Sequence, residues 1–161
     1  MDYLTKLNDL VGNMLHEPTI INMISNLKEQ IVHSNESFVW SSIQPASILK
    51  DLPEEIKSAW IFVLKKDIPS GCHFHPNSIQ HMVMVEGMGE SMAGGQSGKM
   101  IKFGLPDAPI GEIWYVIDKG IEHEFFPKGQ DMVVISFHTC EAHELEEVMC
   151  KNGVSRLYER E

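Results

Sequence analysis

Gly71-Cys72-His73-Phe74-His75-Pro76 and, about fifty residues on, Gly120-Ile121-Glu122-His123 are the stretches on which the reading of this chain turns. Side chains of a strand alternate between its faces, so His73 and His75 project from one side and Cys72 and Phe74 from the other. His123 follows a glycine turn and shares its face with Ile121 and Phe125, which places it on a different strand. If the three imidazoles converge, they make most of a tetrahedral metal site or half of an octahedral one. That convergence requires a scaffold which folds two distant strands onto each other.

Outward from these stretches the chain reads as short β-type runs separated by turn residues. Phe38–Trp40, Trp60–Leu64, Cys72–His75, Ile79–Glu86, Ile113–Ile117, Ile121–Phe126 and Met132–His138 are predicted strands. Gly94-Gly95 joins Glu90–Ala93 to Gly98–Phe103 as a hairpin. Residues 45–53 and 105–110 read as connections. Eight or nine strands in series, with no helices between them, favour an antiparallel sandwich or barrel over a parallel α/β sheet. Before the strands, Leu4, Leu7, Leu10, Val11, Met14 and Leu15 mark an amphipathic helix over residues 1–16, with Asp2 as its N-cap. A second helix runs from Pro18 to about His33. Glu144–Met149 is read as a short helix stopped at Asn152-Gly153. The chain therefore divides into a helical extension (1–36), a β-barrel (37–141) and a partly helical tail (142–161).

Composition narrows the function. Net charge is −10, and the two arginines, Arg156 and Arg160, both lie within the last six residues. Nucleic-acid binding needs clustered cations to displace phosphate counterions, and no such cluster exists. Scarcity of arginine also disfavours phosphorylated sugars, which a bidentate guanidinium would grip. No apolar run approaches the roughly 18 residues of a membrane span, and the N-terminus lacks the apolar core of a secretory leader. Cys72, Cys140 and Cys150 are odd in number and lack CxxC spacing, so no disulfide framework is expected and the predicted compartment is the reducing cytoplasm. Nucleophile-elbow and phosphate-loop motifs are absent, and Cys72 shares no face with a histidine that would activate it.

The motifs resemble those of the cupin superfamily. His73-Phe74-His75, then four residues, Gln80, then six residues and Gly87 follow the first cupin motif with glutamine in place of its glutamate. Asp118-Lys119-Gly120-Ile121-Glu122-His123 follows the second around its histidine. Asp67 stands at the first motif's leading glycine, and Glu112 at the second's. Asp118 replaces a proline, and Pro127 the terminal asparagine. The resemblance covers residues 58–138 and implies a mainly β, antiparallel jelly-roll barrel with two N-terminal helices and a short C-terminal one. It also implies a divalent metal held by His73, His75 and His123, with Gln80 where the acidic ligand would stand. Iron ranks first; zinc, manganese, nickel and copper are alternatives.

Strand parity allows Gln80 or His81, but not both, to face this site, and His81 is read as outward-facing beneath another element. Met82, Met84 and Phe125 are expected to line the cavity. A site of three neutral imidazoles without a carboxylate leaves the cation uncompensated, which favours a small anionic organic ligand. In this respect it is similar to thiol and diketone dioxygenases of the superfamily. The expected function is thus a metal-dependent, oxygenase-type enzyme, with a non-catalytic binding or sensing cupin as the alternative. Cupins commonly pair, so a homodimer using residues 1–33 is expected.

Overall fold

The computed structural model describes residues 2–44 and 46–159; Pro45, at the head of the expected 45–53 connection, lies outside the described residues, as does Arg160. Two helices open the chain, α1 (Tyr3–Met14) and α2 (Pro18–His33). Asp2 caps α1 by accepting a hydrogen bond from the Leu4 amide at 3.3 Å, and Pro18 occupies the first turn of α2, where a missing N–H costs nothing. Among the described residues, eleven strands follow: β1 (Phe38–Ser42), β2 (Ser58–Leu64), β3 (His73–Phe74), β4 (Gln80–Glu86), β5 (Gly89–Ala93), β6 (Gln96–Lys99), β7 (Tyr115–Ile117), β8 (His123–Pro127), β9 (Met132–His138), β10 (Glu146–Met149) and β11 (Ser155–Leu157). A one-turn helix, α3 (Ile110–Ile113), precedes β7.

The strands form two antiparallel sheets. One has the order β1-β2-β9-β4-β7 and the other β11-β10-β3-β8-β5-β6. The five-stranded sheet is covered on both faces, which explains why β2, β4 and β9 read as near-continuous apolar runs. Along β2, Ala59, Ile61 and Val63 pack toward the helices, while Trp60, Phe62 and Leu64 face the second sheet. Along β9, Val133, Ile135 and Phe137 face the helices. Leu7, Val11 and Met14 of α1 and Ile20, Ile24, Leu27 and Ile31 of α2 complete that outer core. A homodimer built on these helices would have to use their other faces, where Ile21 and Val32 are exposed.

Three expectations need correction. Glu144–Met149 is not a helix: a single 3-10 turn at Ala142–Glu144 leads into β10, which pairs with β3 through Val148↔Phe74 and Met149↔His73. Alternation explains this, since Glu147 is buried while its neighbour Glu146 is half-buried, a strand arrangement that helix-favouring residue types concealed. Pairing with an edge of the sheet outweighs the local helical preference. The Gly94-Gly95 hairpin returns through Gln96–Lys99, so residues 100–103 are loop. Cys72 and Cys150 form a disulfide, with Cα atoms 5.5 Å apart, and only Cys140 is free among the described cysteines. This bond removes the cysteine argument for a reducing compartment. Among the described residues, no helix is long and apolar enough to cross a membrane.

Leu7 is fully buried at the centre of the helix–sheet interface. Leu7→Ala is expected to cost about 2–5 kcal/mol in urea unfolding, whereas a loss below about 0.5 kcal/mol would mean that α1 does not share the core.

Candidate metal centre

β3 is only two residues long, but neighbours on both sides hold it. It pairs with β8 through His73↔His123, so these two imidazoles come from directly opposed positions on one face of the sheet. His75 follows two positions along from His73. The three ring centroids lie 4.3–5.3 Å apart, and one donor atom from each ring lies within 4.8 Å of the other two. All three residues are buried.

Backbone carbonyls set the tautomers. Nδ1 of His73 donates to the Gly71 carbonyl at 2.9 Å, that of His75 to Glu146 at 2.8 Å, and that of His123 to Ile121 at 2.9 Å. A carbonyl can only accept, so each Nδ1 carries the proton and each Nε2 keeps its lone pair. His73 Nδ1 also lies 3.6 Å from a carboxylate oxygen of buried Glu147, whose other oxygen pairs with Arg156 Nε. Nε2 of His123 and Oε1 of Gln80 are buried without a hydrogen-bond partner. Buried polar atoms are rarely left so. Three converging lone pairs and an unsatisfied amide oxygen are the donor set a divalent cation would use, so these residues fit the metal that the resemblance implies.

Electrostatics agree with neutral imidazoles. Burial lowers the pKa values of His75 and His123 from the ordinary 6.5 to about 4, with the His123 charge adding to the effect at His75. Burial, followed by repulsion from His123 and His75, pushes His73 well below its ordinary value.

Gln80, rather than His81, faces this cluster. Its amide Nε2 donates to the Met82 sulfur at 3.3 Å, and its side chain lines a cavity with His73, His75 and Phe125. Met82 and Met84 are buried in the same inner core, although they do not form the wall of this cavity. His81 points the other way, beneath α1, where its Nδ1 donates to the Phe137 carbonyl at 3.3 Å and its Nε2 accepts from the Tyr3 hydroxyl at 2.7 Å.

His138 and Tyr158 are neighbours that the motifs did not single out for the site. His138 is fully buried, its ring 5.2 Å from that of His75, and its nitrogens meet the hydroxyls of Ser78 at 2.8 Å and Ser136 at 3.0 Å. Its parity with Val134 and Ser136 was the available signal. Tyr158 reaches the cavity from beyond β11, and no spacing rule relates it to the histidines. Burial, then the nearby Glu147 carboxylate, holds its phenol above the ordinary range and therefore neutral.

No protein-family model and no curated protein matches the chain. Similar solved structures include vicilin from hazelnut (Corylus avellana), with a TM-score of 0.53 and 15% identity over 72% of this chain and 33% of that one. A cupin-2 domain from Rhodospirillum rubrum has a TM-score of 0.49 and 11% identity, covering 66% of this chain and 62% of that one. The cupin domain of Schizosaccharomyces pombe Cnp3 has a TM-score of 0.48 and 10% identity over 65% of each chain. The chain thus spans just under two thirds of the length of these two domains. At such identities the likeness is one of fold.

The buried histidines make a pH prediction for metal-free protein. Their folded pKa values lie below the unfolded value, so between pH 6.5 and about 4 the unfolded chain takes up protons that the fold refuses. Stability is complete above that window and falls as pH drops through it. The melting temperature of metal-stripped protein should decline from pH 6.5 to about 4; a flat profile would contradict the burial of neutral imidazoles.

Proposed function

The chain has a cupin fold, and on that premise we propose that it is a metal-binding cupin acting on a small anionic organic molecule at His73, His75 and His123. The observation that carries this reading is the set of three Nε2 lone pairs turned toward one another by carbonyls that hold each Nδ1 proton. When bound, a divalent metal supplies a Lewis acid with open positions, and iron adds redox capacity for an oxygenase-type reaction.

The chain's own residues do the rest. The carbonyls of Gly71, Glu146 and Ile121 orient the rings, so little reorganisation accompanies loading. Gln80 Oε1 offers a fourth, neutral donor. Because neither the imidazoles nor this amide carries negative charge, an anionic ligand meets less repulsion here than at a carboxylate-bearing site. Phe38, Phe62, Leu64, Phe125 and Val134 wall the cavity with apolar surface, which strengthens electrostatic attraction inside it.

One observation favours a non-catalytic binding cupin as the second reading. The cavity is only about 30 Å³, room for a water or two. Turnover of any organic molecule therefore requires the cavity to enlarge. Oxygen uptake with a panel of small thiols and carboxylates separates the readings, since consistent silence by metal-replete protein would favour the second.

Metal analysis of native protein should find about one divalent ion per chain. His73→Ala should abolish it, and sub-stoichiometric metal unchanged by that substitution would remove the basis of the proposal. Gln80→Glu adds a carboxylate to the donor set. It is expected to tighten metal binding while weakening the binding of added azide, as read by titration of the loaded protein.

A further inference from the structure

Tyr158 occupies the space that an organic ligand would need. It is 5% exposed and lines the same cavity as His73, His75 and Gln80. Its ring lies among those of Phe38, Trp40, Trp60, Phe62 and His75, with centroids 5.0–6.3 Å away. Such a ring fills a ligand-sized volume with apolar surface and leaves beside it only the water-sized remnant.

The backbone carrying this ring is lightly held. β11 is three residues long, lies at the edge of its sheet and pairs only with β10. Ser155 and Leu157 are exposed, and the preceding turn contains Gly153 at φ +70. Two further hydrogen bonds fix the Tyr158 backbone, from its amide to the Leu145 carbonyl at 3.3 Å and from Trp40 Nε1 to its carbonyl at 3.0 Å. Arg156 acts as a latch: it pairs with buried Glu147 while its guanidinium lies 4.9 Å from the Trp40 ring centroid and 5.4 Å from that of Phe38.

β10 is fastened quite differently. Its other edge pairs with β3, its Glu146 carbonyl holds His75, and Cys150 just beyond it is bonded to Cys72, the residue before His73. β11 can therefore peel from β10 while the supports of the histidines remain in place. Separation along this edge breaks few backbone bonds, as expected of the low-stability parts of a fold.

We propose that Tyr158 is the specificity-determining residue of the histidine centre, a plug carried on β11 whose withdrawal admits carboxylates with an apolar body. With the plug in place, only ligands of two or three atoms reach the histidines. With it withdrawn, the carboxylate meets the metal and the apolar body rests on Phe38, Phe62, Leu64 and Phe125. The assignment rests on the metal reading given above.

Cobalt(II)-loaded wild type, Tyr158→Ala and Tyr158→Phe separate the possibilities when their visible spectra are titrated with azide and with benzoate. Azide should perturb all three alike. Benzoate should bind Tyr158→Ala about tenfold or more tightly than wild type, with Tyr158→Phe matching wild type because the ring, not the hydroxyl, fills the space. Equal benzoate affinity in wild type and Tyr158→Ala overturns the proposal.

If cobalt binds none of the proteins, the metal reading falls, and the plug is judged separately on metal-free protein. Saturable benzene binding by Tyr158→Ala alone supports it, and identical behaviour in wild type overturns it. Should Tyr158→Ala fail to fold, Arg156→Ala keeps the ring and removes the latch. Hydrogen exchange at the Leu157 and Tyr158 amides should then quicken relative to β10, and unchanged exchange overturns the proposal.

Discussion

Each of the three clustered imidazoles is anchored through Nδ1 to a main-chain carbonyl, and the character of the site depends on that choice of partner. A side-chain carboxylate would have brought charge and its own conformational freedom. A carbonyl brings neither, and it is fixed by the strands and turns around it. Two of the carbonyls lie two residues before their histidines, at Gly71 and Ile121, so local backbone shape sets those rings. The third belongs to Glu146 and ties the site to β10. Charge enters only at one remove, through buried Glu147 beside His73, where Arg156 balances it.

The two sheets divide the work. The five-stranded sheet is a structural wall, apolar on both faces, with α1 and α2 closing its outer side. Its inner side contributes Gln80 from β4 and His138 from β9, at directly paired positions. The six-stranded sheet contributes His73 and His123, with His75 just after β3 and Tyr158 beyond β11. Polar residues thus collect at one end of the space between the sheets, while Met84, Met100 and Met132 help fill the apolar interior. Methionine suits such a filling because its unbranched chain adapts to irregular gaps.

Strand parity made much of this centre legible in advance. It put His73 and His75 on one face, set Gln80 against His81 as alternatives, and grouped Phe125 with His123. In the structure Gln80 lines the cavity with His73 and His75, while His81 lies under α1 against the Tyr3 hydroxyl. Where prediction failed, the determining interactions were distant in sequence. Glu144–Met149 has helix-favouring residues, and only pairing with β3 and β11 makes it a strand. The Cys72–Cys150 bond spans 78 residues and has no spacing signature. Tyr158 joins the site through packing alone, which no local pattern records.

The Glu146 carbonyl that orients His75 lies 71 residues further along the chain. A contact so distant carries a loop-closure cost that the local carbonyls of Gly71 and Ile121 avoid. β3 is itself held by β8 and β10, so the ring of His75, just beyond it, is oriented by the same long-range pairing that makes the strand. In an unfolded chain these imidazoles have no fixed tautomer, and the carbonyls impose one only where the strands and turns have brought them together.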